Sequence, residues 1–358
     1  MTNGPANNKA FSSNAASNIL WIGTYTPDGG GRADGIGAAR EHPDGSLEWM
    51  GTAVEAQSPS FVAVHPALPV VYAVAEQRSK VQAYRRHGEA ALEPFGEPQP
   101  AGEATCHVAV DPHGRFVTAA CWGDGQVLLY ELDSDGGMTR RFPAAPSVDP
   151  HAALSPGSPR QSRAHASLML HDGRIMTTDL GHDTLRIWTY EAGAGLVADH
   201  EVVLPYGSGP RHLAQHPNGN VFIVSEYSVE VFVVGPGAGT YELVFRGPAT
   251  AGGSQPGDSA AEICLGPGGN FAYAGVRGSN LISVLEVAGN GTELIPVKDF
   301  ASGGNWPRHH LVRGNWLHVA HERSDNIATF ELDPVTGLPG PVRHNVDAAS
   351  PTALVAAG

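Results

Sequence analysis

The chain has little cysteine. Cys106, Cys121 and Cys264 are its three thiols in 358 residues. Three cysteines cannot build a disulfide framework, and their spacing is not that of a zinc site. A reducing compartment fits this usage. Basic residues are also scarce: 22 Lys and Arg stand against 36 Asp and Glu, a net charge of −14. That balance argues against nucleic acid or an anionic membrane as the main partner. No apolar run reaches the length of a transmembrane helix. The first 18 residues, MTNGPANNKAFSSNAASN, lack the apolar stretch of a signal peptide. The expectation is a soluble, cytoplasmic protein with a frayed segment over 1–18. A helical period is missing too, since no segment of ten or more residues carries one.

What is present is short apolar runs, punctuated by 45 Gly and 28 Pro, in a chain that is 41% hydrophobic. Seven runs end in comparable ways: Leu20–Tyr25, Val71–Glu76, Val117–Trp122, Ile175–Leu180, Val221–Glu226, Ala272–Arg277 and Leu317–Glu322. Their last residues step by 51, 46, 58, 46, 51 and 45 positions. A period in this range marks a repeat architecture. Six runs are preceded by a shorter alternating strand, as in Arg211–Ala214 before the His216-Pro217-Asn218-Gly219 turn. A third strand follows each run, then a more polar fourth. Four antiparallel strands taken seven times predict an all-β, seven-bladed β-propeller over 19–358, one domain without a linker. The first blade lacks its first strand at the N-terminus. Ser350–Val355 resembles Ser58–Ala63, so the C-terminal strand is expected to join the N-terminal blade and close the ring. A closed ring leaves no edge that needs a partner, so no oligomeric state follows. The longest step holds 149–163, DPHAALSPGSPRQSR, expected to be a functional rim loop.

In such a ring the start of every first strand and the end of every second strand converge on one mouth of the central channel. That places Glu76, His107, His165, Asp179, Arg211, His212, Glu226, Glu262, Arg277, Arg308, His309 and Glu322 together. Guanidinium groups match carboxylate or phosphate, and Glu and His can move protons. The set therefore suggests a pocket for a small anionic or polyhydroxylated molecule. Plainer readings stand beside this one. Glu and Arg on neighbouring blades can simply neutralise each other, and His107 reads as a hydrogen-bonded channel residue. The cysteines read as buried small hydrophobes. GGGRADGIG at 29–37 precedes no helix and is a turn rather than a phosphate cradle. His318 and His321 point to opposite faces of a strand, so no metal site is expected there.

Several stretches resemble the seven-bladed propeller lactonase family, which includes propeller-type 6-phosphogluconolactonases and the fungal 3-carboxy-cis,cis-muconate lactonizing enzyme. They include Ile22-Gly23-Thr24-Tyr25-Thr26, Cys106 to Pro112, Ala164-His165-Ala166, Thr178 to Asp183, Gly207-Ser208-Gly209-Pro210-Arg211-His212-Leu213, Ser225-Glu226, Val276-Arg277-Gly278 and Trp306-Pro307-Arg308. The resemblance covers the chain from residue 19 onward. It implies His165, Arg211, Glu226 and Arg277 as catalytic residues. Glu76, His107, Asp179, His212, Glu262, Arg308, His309 and Glu322 are then expected to bind substrate. The implied activity is hydrolysis of a sugar-acid-type lactone, with Glu226 or His165 as general base and the two arginines holding the carbonyl oxygen or a substrate anion. Neither cofactor nor metal is required. The alternatives are a muconate-type cycloisomerase using the same groups, and a non-catalytic propeller that only binds. Cys121-Trp122 stands where the family more often has Asn-Tyr, and His321-Glu322 is less typical of the last blade.

Overall fold

The structure, a computed structural model, describes residues 17–155 and 157–358. Apart from Ser17 and Asn18, the segment expected to be frayed lies outside the described residues. These form seven four-stranded antiparallel sheets arranged as the blades of a propeller. Blades 2 to 7 each use four consecutive strands. Blade 5, for instance, runs through Pro210–Gln215, Val221–Ser225, Glu230–Pro236 and Tyr241–Pro248 from the inside outwards. Blade 1 takes its innermost strand from the C-terminus: Pro351–Ala356 pairs with Ile19–Thr24, with Leu20 opposite Ala356 and Ile22 opposite Leu354. No helix among the described residues is long and apolar enough to cross a membrane.

The continuous apolar second strands follow from sandwiching. A strand's side chains alternate between its two faces, and both faces of a blade are covered by neighbouring blades. In Val221–Ser225, Val221 and Ile223 pack towards blade 4, while Phe222 and Val224 pack towards blade 6. Seven apolar clusters result, one at each blade–blade interface. The core is thus a ring of seven seams. The channel is left to the inner strands, whose side chains need not be apolar.

Candidate active site

The inner strands do not run in plain register. Pairing with the second strand shifts between Thr105 and His107, Ala164 and Ser167, Pro210 and His212, Ala260 and Ile263, and Pro307 and His309. A bulge leaves an extra residue on one strand and re-aims its side chains. Here it frees backbone carbonyls and brings successive residues, Arg211 with His212 and Arg308 with His309, into the same polar cluster. The blade 5 entry is set by Asp183, fully buried, which accepts hydrogen bonds from Gly207 N (2.8 Å), Gly209 N (2.7 Å) and the Ser208 hydroxyl. Gly209 has φ 64°, left-handed backbone that glycine adopts without strain. Its carbonyl accepts from Glu226 N at 2.7 Å, tying the two ends of the hairpin together.

At one end of the channel, Arg211 and Arg277 share a single carboxylate. Arg211 Nε lies 2.8 Å and Arg277 Nη2 2.9 Å from Glu226 Oε2. The first is an ion pair off the N–H axis rather than a hydrogen bond, since the Arg211 Nε–H has no aligned acceptor. Both guanidinium groups are anchored on the bulged inner strand of blade 6. Arg211 donates to Ala261 O, and Arg277 to Ser259 O, Ser259 Oγ and Ala260 O. Burial lowers the Arg277 pKa to about 10, with the neighbouring Arg211 adding to the shift. Burial would raise the Glu226 carboxyl, but the charges of Arg277 and Arg211 win and hold it below its ordinary value. Glu226 is therefore ionised and firmly held. Its side chain is 22% exposed, against 3% for Arg211, so this carboxylate is open to solvent.

A second group faces it. Arg308 donates to Glu322 (3.0 Å) and to the Tyr25 hydroxyl (2.7 Å). Tyr25 in turn donates to Glu76, and Ser60 donates to the same carboxylate. Burial pushes the Tyr25 phenol well above its usual range, so it stays a neutral donor. Among the charges so far, three arginines balance three glutamates. Trp306, in left-handed backbone at φ 68°, sets its ring 5.5 Å from the Arg277 guanidinium carbon and 3.4 Å from that of Arg323.

Deeper in the channel, four imidazoles and a phenyl ring form a collar. His212 packs against His165 (5.2 Å between ring centroids), His107 (5.5 Å), Phe61 (5.9 Å) and His309 (6.3 Å). Glu262 accepts from His212 Nδ1 at 2.6 Å and lies 3.2 Å from His309 Nε2. Burial lowers all four imidazole pKa values, that of His309 to about 3. Arg211 adds to the depression of His165 and His212. The collar is neutral at physiological pH. Beyond it, a cavity of about 500 Å³ opens towards the other end of the channel, walled by Val62, Val64, Leu168, Leu213 and Val355.

Eleven of the twelve residues expected at the mouth therefore lie in this connected arrangement. Asp179 does not. Its carboxylate accepts from Ser162 Oγ (2.5 Å), Arg163 N (2.8 Å), Gly181 N (3.1 Å) and His182 N (3.0 Å), and the residue is 2% exposed. It shapes the turn after the second strand of blade 4 instead of facing a ligand. The expected rim loop 149–163 is pinned by Arg160, which pairs with Asp149 and Asp183. No group of three or more potential metal ligands is assembled among the described residues. Tyr25, Ser60, Phe61, Ser259 and Trp306 also join the arrangement, outside the expected set. Tyr25 carried a usable signal, because it occupies the same repeat position as Glu76, Glu226, Arg277 and Glu322.

Comparison with known proteins agrees with this architecture. The chain is 27% identical over 332 residues to a 6-phosphogluconolactonase of Bacillus subtilis (strain 168), covering 89% of this chain and 92% of that one. The periplasmic gluconolactonase of Pseudomonas aeruginosa superposes with a TM-score of 0.84 at 24% identity, covering 95% of this chain and 99% of that one. A protein of Lactobacillus plantarum gives 0.85 at 21% identity, covering 94% and 98%. At such identities the two structures speak for the fold alone. The family described as "Lactonase, 7-bladed beta-propeller" matches residues 19–356. With a match that runs through all seven blades, the chain belongs to the seven-bladed β-propeller lactonase family and is a lactone hydrolase.

Proposed function

We propose that the ionic mouth built on Arg211, Glu226 and Arg277 hydrolyses the internal ester of a sugar-acid-type lactone. The observation that carries this reading is two guanidinium groups fixed on one carboxylate, next to neutral imidazoles. Opening a lactone by water builds negative charge on the carbonyl oxygen. Guanidinium groups already anchored on backbone carbonyls stabilise that charge without reorganising during the reaction. Glu226 keeps the two cations together. Both guanidinium groups engage its carboxylate, so the base comes from the collar. Glu76, Glu322 and Tyr25 face the sugar hydroxyls as hydrogen-bonding partners. The three cysteines are free, which suits a cytoplasmic enzyme of carbohydrate metabolism.

The test is hydrolysis of 6-phosphogluconolactone and gluconolactone by the wild type, Arg211→Ala and Glu226→Gln, with 3-carboxymuconate as the contrasting substrate for a cycloisomerase. Each variant is expected to lose about 10²–10³-fold in kcat, the cost of one charge-stabilising group. Full hydrolysis by both folded variants overturns these roles. Turnover of the muconate alone overturns the reaction.

A further inference from the structure

A lactone hydrolase needs a base whose lone pair faces the reacting water, and a fixed tautomer provides one. The hydrogen bonds of the channel sort the candidates. Glu226 is engaged by two guanidinium groups. His107 Nδ1 accepts from Ser167 N at 3.4 Å, so its hydrogen sits on Nε2 and that nitrogen has no lone pair to offer. His309 Nδ1 accepts from Leu354 N (3.3 Å), so its hydrogen sits on Nε2, which lies 3.2 Å from Glu262. His165 Nδ1 is buried with no partner, so nothing fixes its tautomer. His212 differs from all of these. Its Nδ1 lies 2.6 Å from the Glu262 carboxylate, which can only accept, so Nδ1 carries the hydrogen. Nε2 then holds the lone pair and has no partner among the described residues. Glu262 itself is fixed through Oε1 by Ile263 N at 3.0 Å.

Resting on the lactone-hydrolase reading of this site, we propose that His212 is the general base and that Glu262 is its positioning residue. Water attacks the lactone carbonyl carbon, and its proton passes to His212 Nε2. The imidazolium formed lies against the Glu262 carboxylate, while Arg211 and Arg277 hold the oxyanion. The ring C–O bond then breaks, and the leaving alkoxide takes the proton back from Nε2, giving the hydroxy acid. His165 contributes its ring as the wall that keeps His212 in place.

The test compares His212→Asn, Glu262→Gln and His165→Gln in the full chain, with circular dichroism to confirm folding. The amide introduced by H212N can donate to Glu262 in place of Nδ1, so the buried carboxylate keeps a partner while the lone pair of Nε2 is lost. H212N is expected to lose about 10³–10⁴-fold in kcat with KM little changed, and E262Q about 10²–10⁴-fold. H165Q should lose no more than about tenfold. The pH profile separates catalysis from mere support. Glu262, His107, His165 and His309 face His212, with Arg211, Arg277, Arg308 and Glu226 beyond them. Removing the one carboxylate in contact lowers the His212 pKa, so the acid limb of kcat moves to lower pH in E262Q. Near-wild-type rates in H212N with a dead H165Q, or an unmoved acid limb in E262Q, overturn the proposal and leave the lactonase reading intact. A wild type inactive on every lactone overturns both.

Discussion

Lowering the pH from 7 to 5 should destabilise this propeller far more than its carboxylates explain. The cause is the collar. His107, His165, His212 and His309 are buried with pKa values below the ordinary 6.5, that of His309 at about 3. Below pH 6.5 the unfolded chain binds protons on these side chains that the native state refuses, so stability falls as pH falls. For His309 this is a slope of about 1.4 kcal/mol per pH unit, or about 2 kcal/mol at pH 5. His107, His165 and His212 act in the same direction. Carboxylates with depressed pKa act elsewhere. Asp149, held at about 2 chiefly by its hydrogen bonds from Arg160, supports the fold above the ordinary carboxylate range and loses that contribution only in stronger acid. The window between pH 6.5 and 5 therefore isolates the imidazoles. Urea unfolding at half-unit steps from pH 7 to 5 measures the slope, and His309→Gln should reduce it by about one proton. A stability constant to within about 1 kcal/mol across that window would refute the neutral collar.

Two further outcomes follow from the architecture. Asp179→Ala should cost about 2–3 kcal/mol in urea unfolding, because three backbone N–H groups, that of His182 buried, lose their acceptor, while KM stays within about twofold; a large rise in KM at unchanged stability would return Asp179 to the substrate-binding set. Deleting residues 351–358 removes the inner strand of blade 1 and uncovers Ile19–Thr24. The truncated chain should be recovered as aggregate, and a soluble monomer with native near-ultraviolet dichroism would contradict strand-mediated closure.

The ring was legible in the amino-acid pattern. A step near fifty residues, strand-length apolar runs and turn residues between them leave few ways to bury both faces of every blade. The likeness of Ser350–Val355 to Ser58–Ala63 named the closing strand as well. The repeat positions also brought eleven mouth residues to one channel, because equivalent positions in a closed ring must converge. Asp179 shows the limit of that logic. It stands one residue before the position equivalent to Glu226, which Leu180 holds, and there the local turn offers it three N–H groups that a buried carboxylate accepts. Which carboxylate serves which cation or imidazole emerges only on folding. Glu226 could have been a free base in the sequence; in the fold it lies between Arg211 and Arg277. His212 and Glu262 are 50 residues apart, with nothing in their spacing to pair them. Bulges on two adjacent inner strands bring them within hydrogen-bond distance, and bulges depend on how neighbouring blades pack rather than on local pattern.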